Sequence, residues 1–295
     1  MPQHLQASAQ FTDSDYLSDN NEMYRLSIQL RLDGFSFAIF DPAEKKLLQI
    51  KEYKLGEKSG RSFEENWANL LSQFRNVMET EHPLFEPFRK VYVSLDHQDY
   101  ILLPSALFLK EKMETAFIFT QKVDYDYELI SHELLGADMV VVQAVYKALF
   151  SYIRLQFPQA LIVHHLSVLQ QEIQKIHKNN NMGKRAYVSV SNRTMHIIVM
   201  NKEELQYCNS FSFSAKEDFI YFILLIYNQL DMNANEDPLF LLGDIGRSSA
   251  IYKICWQYIR NISFLDQLDH INMSSNFDQL ATHQYYTLIH TTLCE

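Results

Sequence analysis

The sequence predicts a duplicated α/β fold, built from two mixed sheets flanked by helices. Three observations carry that prediction. One order of elements occurs twice: three strands joined by tight turns, a capped helix, an apolar strand, a second helix and a further apolar strand. A nine-residue segment recurs at the same place in that order. Tyr146-Lys147-Ala148-Leu149-Phe150-Ser151-Tyr152-Ile153-Arg154 matches Tyr252-Lys253-Ile254-Cys255-Trp256-Gln257-Tyr258-Ile259-Arg260 at five of nine positions, with a sixth aromatic in both. The 295 residues, 47% apolar and 21% charged, can bury two cores of ordinary size.

Residues 1–22 read as a disordered acidic tail of Gln, Ser, Asp and Asn without periodicity. Tyr24–Leu30 alternates as a strand, Asp33-Gly34 is a hairpin turn, and Phe35–Phe40 is the second strand. Asp41-Pro42 turns the chain again before the third strand, Leu47–Leu55. Ser62 and Glu65 form a capping box for an amphipathic helix that runs to Thr80. Val91–Leu95 is a wholly apolar strand of the buried parallel kind, and Ile101–Phe119, interrupted by Pro104, carries mixed signals. Asp124, Asp126 and Glu128 alternate with Tyr125 and Tyr127 as a strand with one acidic face. A long helix is expected over Ala137–Gln156, ending before Pro158, then a strand over Ala160–Val163 and a linking helix over Ser167–His177. The polar cluster Lys178–Lys184 divides a first half, residues 23–180, from a second, residues 185–295.

The second half repeats the order. Strands are expected over Ala186–Val190, Met195–Met200 and Leu205–Phe213, and a helix capped by Ser214 with Glu217 reaches Leu230. A strand over Leu239–Leu242, a helix over Ser248–Arg260, a strand over Ile262–Leu265 and a closing helix over Phe277–Leu293 complete it. Phe219–Tyr227 is hydrophobic nearly all round, as in a helix buried on all sides or covered by a partner.

The net charge of −10 disfavours nonspecific binding to nucleic acid or anionic membranes. No apolar run is long enough to span a bilayer, and the polar start has no signal-peptide core. Three separated cysteines, Cys208, Cys255 and Cys294, suggest no disulfide framework and a reducing cytoplasm. The 20 Phe and 17 Tyr suit interfaces as well as cores. Serine-nucleophile, P-loop, zinc-protease and dinucleotide fingerprints are all missing.

With Leu102-Leu103-Pro104-Ser105-Ala106-Leu107-Phe108 after the fourth strand and Val163-His164-His165-Leu166-Ser167 after the fifth, the repeated plan over residues 23–295 resembles the actin, sugar-kinase and Hsp70 superfamily. The chain looks like a member of an uncharacterised bacterial family of this actin-like ATPase (ribonuclease H-like) fold, distantly similar to the type IV pilus assembly ATPase-like proteins. The resemblance implies a cleft between the halves. There, two hairpins of the pattern Asp-x-Gly-x-x-Thr/Ser would wrap nucleotide phosphates, their carboxylates would orient Mg²⁺, and a later Gly-Gly turn would receive the adenosine.

The chain departs from that pattern at each place. In the first hairpin Gln29 stands at the carboxylate position and Arg31 at the glycine, with Asp33 and Gly34 just beyond. In the second, Ser189 and Ser191 replace them, leaving Arg193 and the hydroxyl of Thr194. Gly243 keeps one glycine of the later turn, and Asp244 replaces the other with a charge that repels phosphate. Phosphoanhydride hydrolysis depends on positioning and charge stabilisation, so the familiar catalytic route is lost.

The expectation is therefore a non-catalytic, pseudo-ATPase scaffold or adaptor with no cofactor, a protein partner and a homodimer as one option. The alternative is a switch or weak ATPase taking ATP with Mg²⁺, its cleft lined by Arg31, Asp33, Gly34, Arg193, Thr194, Gly243 and Asp244. A further option is another small anion bound by the two arginines. Asp96-His97-Gln98-Asp99, at the carboxyl end of an apolar strand, reads as a polar loop or as a metal or proton site. His164-His165 point to opposite faces and so cannot easily clamp one metal, which leaves one of them buried against a backbone group. His283 and His290 read as a surface or interface stripe on the closing helix.

Overall fold

A computed structural model of the chain describes residues 5–56, 62–81, 84, 87–134, 136–178, 182–191, 193–268 and 270–293. Residues 1–4, residues 179–181 of the expected boundary, and Cys294 lie outside the described residues. The first half comprises β1 (Ala9–Thr12), β2 (Arg25–Arg31), β3 (Gly34–Asp41), β4 (Lys46–Lys54), α1 (Phe63–Thr80) and β5 (Lys90–Asp96). It continues with β6 (Tyr100–Pro104), α2 (Met113–Thr120), β7 (Tyr127–Leu134), β8 (Met139–Tyr146), α3 (Lys147–Gln156), β9 (Leu161–His164) and α4 (His165–His177). The second half comprises β10 (Lys184–Ser191), β11 (Thr194–Asn201), β12 (Glu204–Ser212), α5 (Lys216–Gln229), β13 (Leu239–Gly243), α6 (Ala250–Tyr258), β14 (Ile262–Phe264) and α7 (Tyr286–Thr291).

The first sheet has the order β1-β4-β3-β2-β5-β9, and the second has β12-β11-β10-β13-β14. In each, two antiparallel pairs built on hairpins lead to two parallel pairs, β2–β5–β9 and β10–β13–β14. This is the actin-like (ribonuclease H-like) plan, with the same strand arrangement in both sheets. A third, antiparallel sheet, β6-β8-β7, is inserted between β5 and α3. The segments that carry the nine-residue match, α3 with the end of β8 and α6, occupy corresponding places in the two halves.

The layers follow from where apolar side chains point. Trp67, Leu70, Phe74 and Met78 of α1 pack with Leu149 and Ile153 of α3 on one face of the first sheet. Phe219, Ile223 and Ile226 of α5 pack with Cys255 of α6 against the second. Between the sheets, Leu166, Leu169 and Ile173 of α4 meet Tyr187, Ile198 and Leu242. Leu288 and Ile289 of α7 pack on Ala38 and Phe40, so the last helix of the second half sits on the first sheet. That exchange joins the halves through their inner helices. Among the described residues no helix is long and apolar enough to cross a membrane.

The structure corrects several expectations. Residues 9–12 pair with Gln49–Glu52 of β4, and Ser18–Met23 form a 3-10 turn, so the segment expected to be disordered is ordered where described. Its short apolar-polar alternation finds an open sheet edge, which composition does not reveal. The expected helix over 137–156 is β8 followed by α3. The valines at 140–142 are β-branched and fit a pleated strand better than a helix. The strand expected around Asp124 begins only at Tyr127. The closing helix is broken into 3-10 turns at Ser275–Phe277 and Thr282–Gln284 before α7, so His283 and His290 share no helix face. His283 donates to the Ile245 carbonyl at 2.7 Å, and His290 is buried. α5 starts one residue later than expected: Asp218, not Glu217, accepts the N–H groups of Ser214 and Ala215 at 3.0 Å. At α1 the predicted box is present, with Ser62 and Glu65 satisfying each other's backbone N–H.

Candidate functional site

The tips of the two equivalent hairpins meet at one cleft. Arg31 pairs with Gly34 across the β2–β3 tip, and Ser191 pairs with Thr194 across the β10–β11 tip. Between them lies a cleft of about 490 Å³, whose walls include Arg31, Asp33, Asp96, Asp99, Arg193 and Thr194. Gly34 lies behind the tip, where a Cβ would collide with the Tyr53 carbonyl, so its lack of a side chain serves the β3–β4 approach. Gly243 has φ +83°, and a Cβ there would strike the Val190 carbonyl oxygen. The same close approach lets the Asp244 N–H donate to the Val190 carbonyl at 2.7 Å. The Asp244 carboxylate, partly exposed, lies 3.9 Å from Lys54 Nζ.

Arg31 is buried and already spoken for. Its guanidinium lies 3.2 Å from Asp33 and 3.4 Å from Glu52. Burial opposes its charge, but Asp33, Asp96, Glu52 and Asp244 outweigh that and hold it firmly protonated. Asp33 is pushed up by burial, and the nearby Asp96 adds to the shift against the pull of Arg31. The guanidinium therefore neutralises protein carboxylates in the space where the resemblance would put a phosphate.

The floor beneath is a polar network that crosses between the halves. His165, the first residue of α4, contacts Gln29 through Nδ1 at 3.0 Å and Ser189 through Nε2 at 3.0 Å. Gln29 and Ser189 are the two positions that the sequence resemblance would give to metal-orienting carboxylates. Here they hold the two edges of one imidazole. Burial pushes His165 down to about 4, against the opposing charge of Asp96, so the ring is neutral near neutral pH.

Beside it His196 Nε2 lies 2.6 Å from Asp96 Oδ1, and His196 Nδ1 lies 2.5 Å from Ser210 Oγ. Ser210 in turn meets the Tyr100 hydroxyl at 2.6 Å. Tyr100, Ser210, His196 and Asp96 thus form a hydrogen-bonded chain that starts in the first half, passes through two residues of the second and returns to the first. Burial raises the Asp96 carboxyl, but its histidine neighbours and Arg31 outweigh this and hold it well below the usual carboxylate range. Donor atoms of Asp96, His165 and His196 all lie within 4.8 Å of one another.

The polar-loop reading of residues 96–99 does not hold for Asp96 and His97, both of which are buried. His97 bonds Gln143 at 3.1 Å and packs edge-on against Trp67. His164 is the histidine buried against a backbone group: its ring contacts the His97 carbonyl at 3.0 Å and caps α4 at the Leu166 N–H. His165, its neighbour, is the centre of the floor. Sequence reasoning misses His196, Ser210, Glu52 and Tyr100 altogether. The available signal was His196 itself, a polar residue within the apolar strand Met195–Met200, which when buried needs a partner.

Residues 13–262 match the family described as "Protein of unknown function (DUF3822)", so the chain belongs to that family. No curated protein matches it. Among solved structures it is similar to a Bacteroides thetaiotaomicron protein with actin-like ATPase fold and unknown function. That likeness has 21% identity and a TM-score of 0.78, and covers 95% of this chain and 99% of the other. A chain of the PilM–PilN type IV pilus biogenesis complex is similar at 11% identity with a TM-score of 0.52, covering 92% of this chain and 98% of that one. These likenesses establish the fold.

Proposed function

We propose that this member of the DUF3822 family is a non-catalytic protein of actin-like fold, with halves at residues 23–180 and 185–295, that serves as a protein-binding scaffold or adaptor. One observation carries the reading: Gln29 and Ser189, at the metal-orienting positions of the superfamily pattern, grip the two nitrogens of His165. With Arg31 committed to Asp33 and Glu52, nothing at the first hairpin is left to orient a metal-bound phosphate.

Two further observations support a protein partner. Leu107, Leu109, Ile118 and Phe119 are exposed within one segment of the inserted unit, Phe119 at 89%. The similar chain of the PilM–PilN complex belongs to a protein assembly.

The second reading, a nucleotide-dependent switch, draws on the convergence of Arg31, Asp33, Asp96 and Arg193 on one cleft of about 490 Å³. Thermal unfolding of the chelator-treated chain with Mg·ATP or Mg·ADP separates the two. A ligand at 100 times its dissociation constant adds about 2.7 kcal/mol, a readily measured shift. The scaffold reading expects no shift at millimolar nucleotide. A reproducible rise in melting temperature would select the switch.

A further inference from the structure

We infer that Asp96, His165 and His196 form a binding site for one divalent transition-metal ion of the zinc type at the floor of the cleft. The inference is independent of whether the cleft takes a nucleotide. It assigns a metal to ligands other than the hairpin carboxylates of the superfamily pattern, which this chain lacks.

Four features converge. The first is the donor set: two imidazoles and a carboxylate, with donor atoms within 4.8 Å of one another, suit zinc and its neighbours better than magnesium or calcium. The second is Asp96 Oδ2, which is fully buried and has no protein hydrogen-bond partner among the described residues. A carboxylate oxygen in that position leaves an acceptor unsatisfied, and a cation is one way to satisfy it.

The third is space. A cavity of about 10 Å³, close to the volume one water's centre needs, is lined by Asp96, His165 and Ser189 together with Gln29 and Arg31, while His196 reaches Asp96 from outside its walls. The fourth is charge. Asp33, Glu52, Asp96 and Asp244 stand around Arg31 and Lys54, leaving an excess of two negative charges when all are ionised. A divalent ion cancels that excess, and Arg31 is held off it by its own two carboxylates.

The surroundings also orient the rings. With its ring proton on Nδ1, His196 donates a hydrogen bond to Ser210 Oγ and leaves Nε2 bare for a metal, a change of tautomer without a net change in protonation. The Gln29 amide plays the same part for His165 when its oxygen is turned to Nδ1, and His165 Nε2 then exchanges its Ser189 contact for the ion. The ion takes the place of the His196 Nε2–Asp96 hydrogen bond, the ring proton passing to Nδ1. Because Asp96 and His165 come from the first half and His196 from the second, the bound ion would staple the halves.

The test uses the full chain, stripped with EDTA and titrated with Co²⁺ and then Zn²⁺. The site should take one ion per chain. Its Co²⁺ absorption should show ligand-field bands of a four- or five-coordinate nitrogen–oxygen site, without thiolate-to-metal charge transfer. Zn²⁺ should displace Co²⁺, and excess Mg²⁺ should not. Asp96→Asn and His165→Gln, each confirmed as folded by circular dichroism, should weaken binding by about 100-fold or more, whereas Cys208→Ser should leave it unchanged. Failure of the wild-type chain to bind either ion overturns the inference. So does a thiolate charge-transfer band, or binding that survives in folded Asp96→Asn and His165→Gln.

Discussion

Arg31 was legible in the sequence as an arginine where the superfamily pattern has a glycine, and its charge suggested a phosphate partner. Its real partners, Asp33 two residues on and Glu52 on β4, depend on the β2–β3–β4 register, which puts Arg31 opposite Gly34 and Gly34 opposite Lys54. A buried guanidinium among carboxylates is costly to remove rather than intrinsically stabilising, because truncation leaves Asp33, Glu52 and Asp96 uncompensated. Arg31→Ala is expected to destabilise the chain by about 3–5 kcal/mol in urea unfolding at neutral pH. A loss below about 1 kcal/mol, the size of an exposed ion pair, would mean the guanidinium is solvated instead. His196 shows the opposite limit of legibility. In sequence it is one polar residue inside an apolar strand, and its partners lie 100 residues away at Asp96 and 14 away at Ser210.

Elements were read best where local chemistry decides them. The capping box at α1 is set by residues three apart, so Ser62 and Glu65 were sufficient to place the helix start. Ser62→Ala should cost about 1 kcal/mol in the same unfolding assay, and a neutral result would show that α1 is held by its packed face alone. Elements were misread where neighbours decide. The Met139–Tyr146 run is apolar enough for a buried helix or a buried strand, and only its pairing with both β6 and β7 makes it the central strand of the inserted sheet. The Ala9–Thr12 segment likewise becomes β1 because β4 offers it an edge. In the last helix, apolar content suggested one long element, whereas the chain must first cross to the inner face of the first sheet before α7 can pack there.

At the scale of the whole molecule, the halves are joined less by apolar contact alone than by apolar packing around a wet-chemistry floor. Ser27 and Arg25 donate to the carbonyls of Leu288 and Thr292 at 2.9 Å, Ser212 donates to Gln98 at 2.9 Å, and the Asp96–His196 and His165–Ser189 contacts cross the same boundary. Such a junction responds to acid. Burial pushes His165 and His132 down to about 4, while the unfolded chain takes up protons at ~6.5. The unfolded state therefore binds more protons between those values, and stability should fall as pH drops from about 6.5 towards 4. Asp96, held low in the native state, adds a further loss only below the ordinary Asp value of ~3.9. Urea midpoints measured from neutral pH down to pH ~4.5 test this. His165→Gln should flatten part of the slope, and a midpoint independent of pH in that range would contradict the buried, neutral state of His165.

The sequence by itself determined the recurring order of strands and helices, pointed to the actin-like plan, and showed Gln29 and Ser189 where the resemblance would place hairpin carboxylates. Each rests on periodicity, turn chemistry or residue identity at a counted position, all of which are local. What fills the place of the lost carboxylates was decided only by the tertiary structure. Gln29, His165 and Ser189 come from three separate elements, and no pattern along the chain relates them. They become one network because the two sheets close on α4, and burial there obliges every polar group to find a partner across the boundary between the halves.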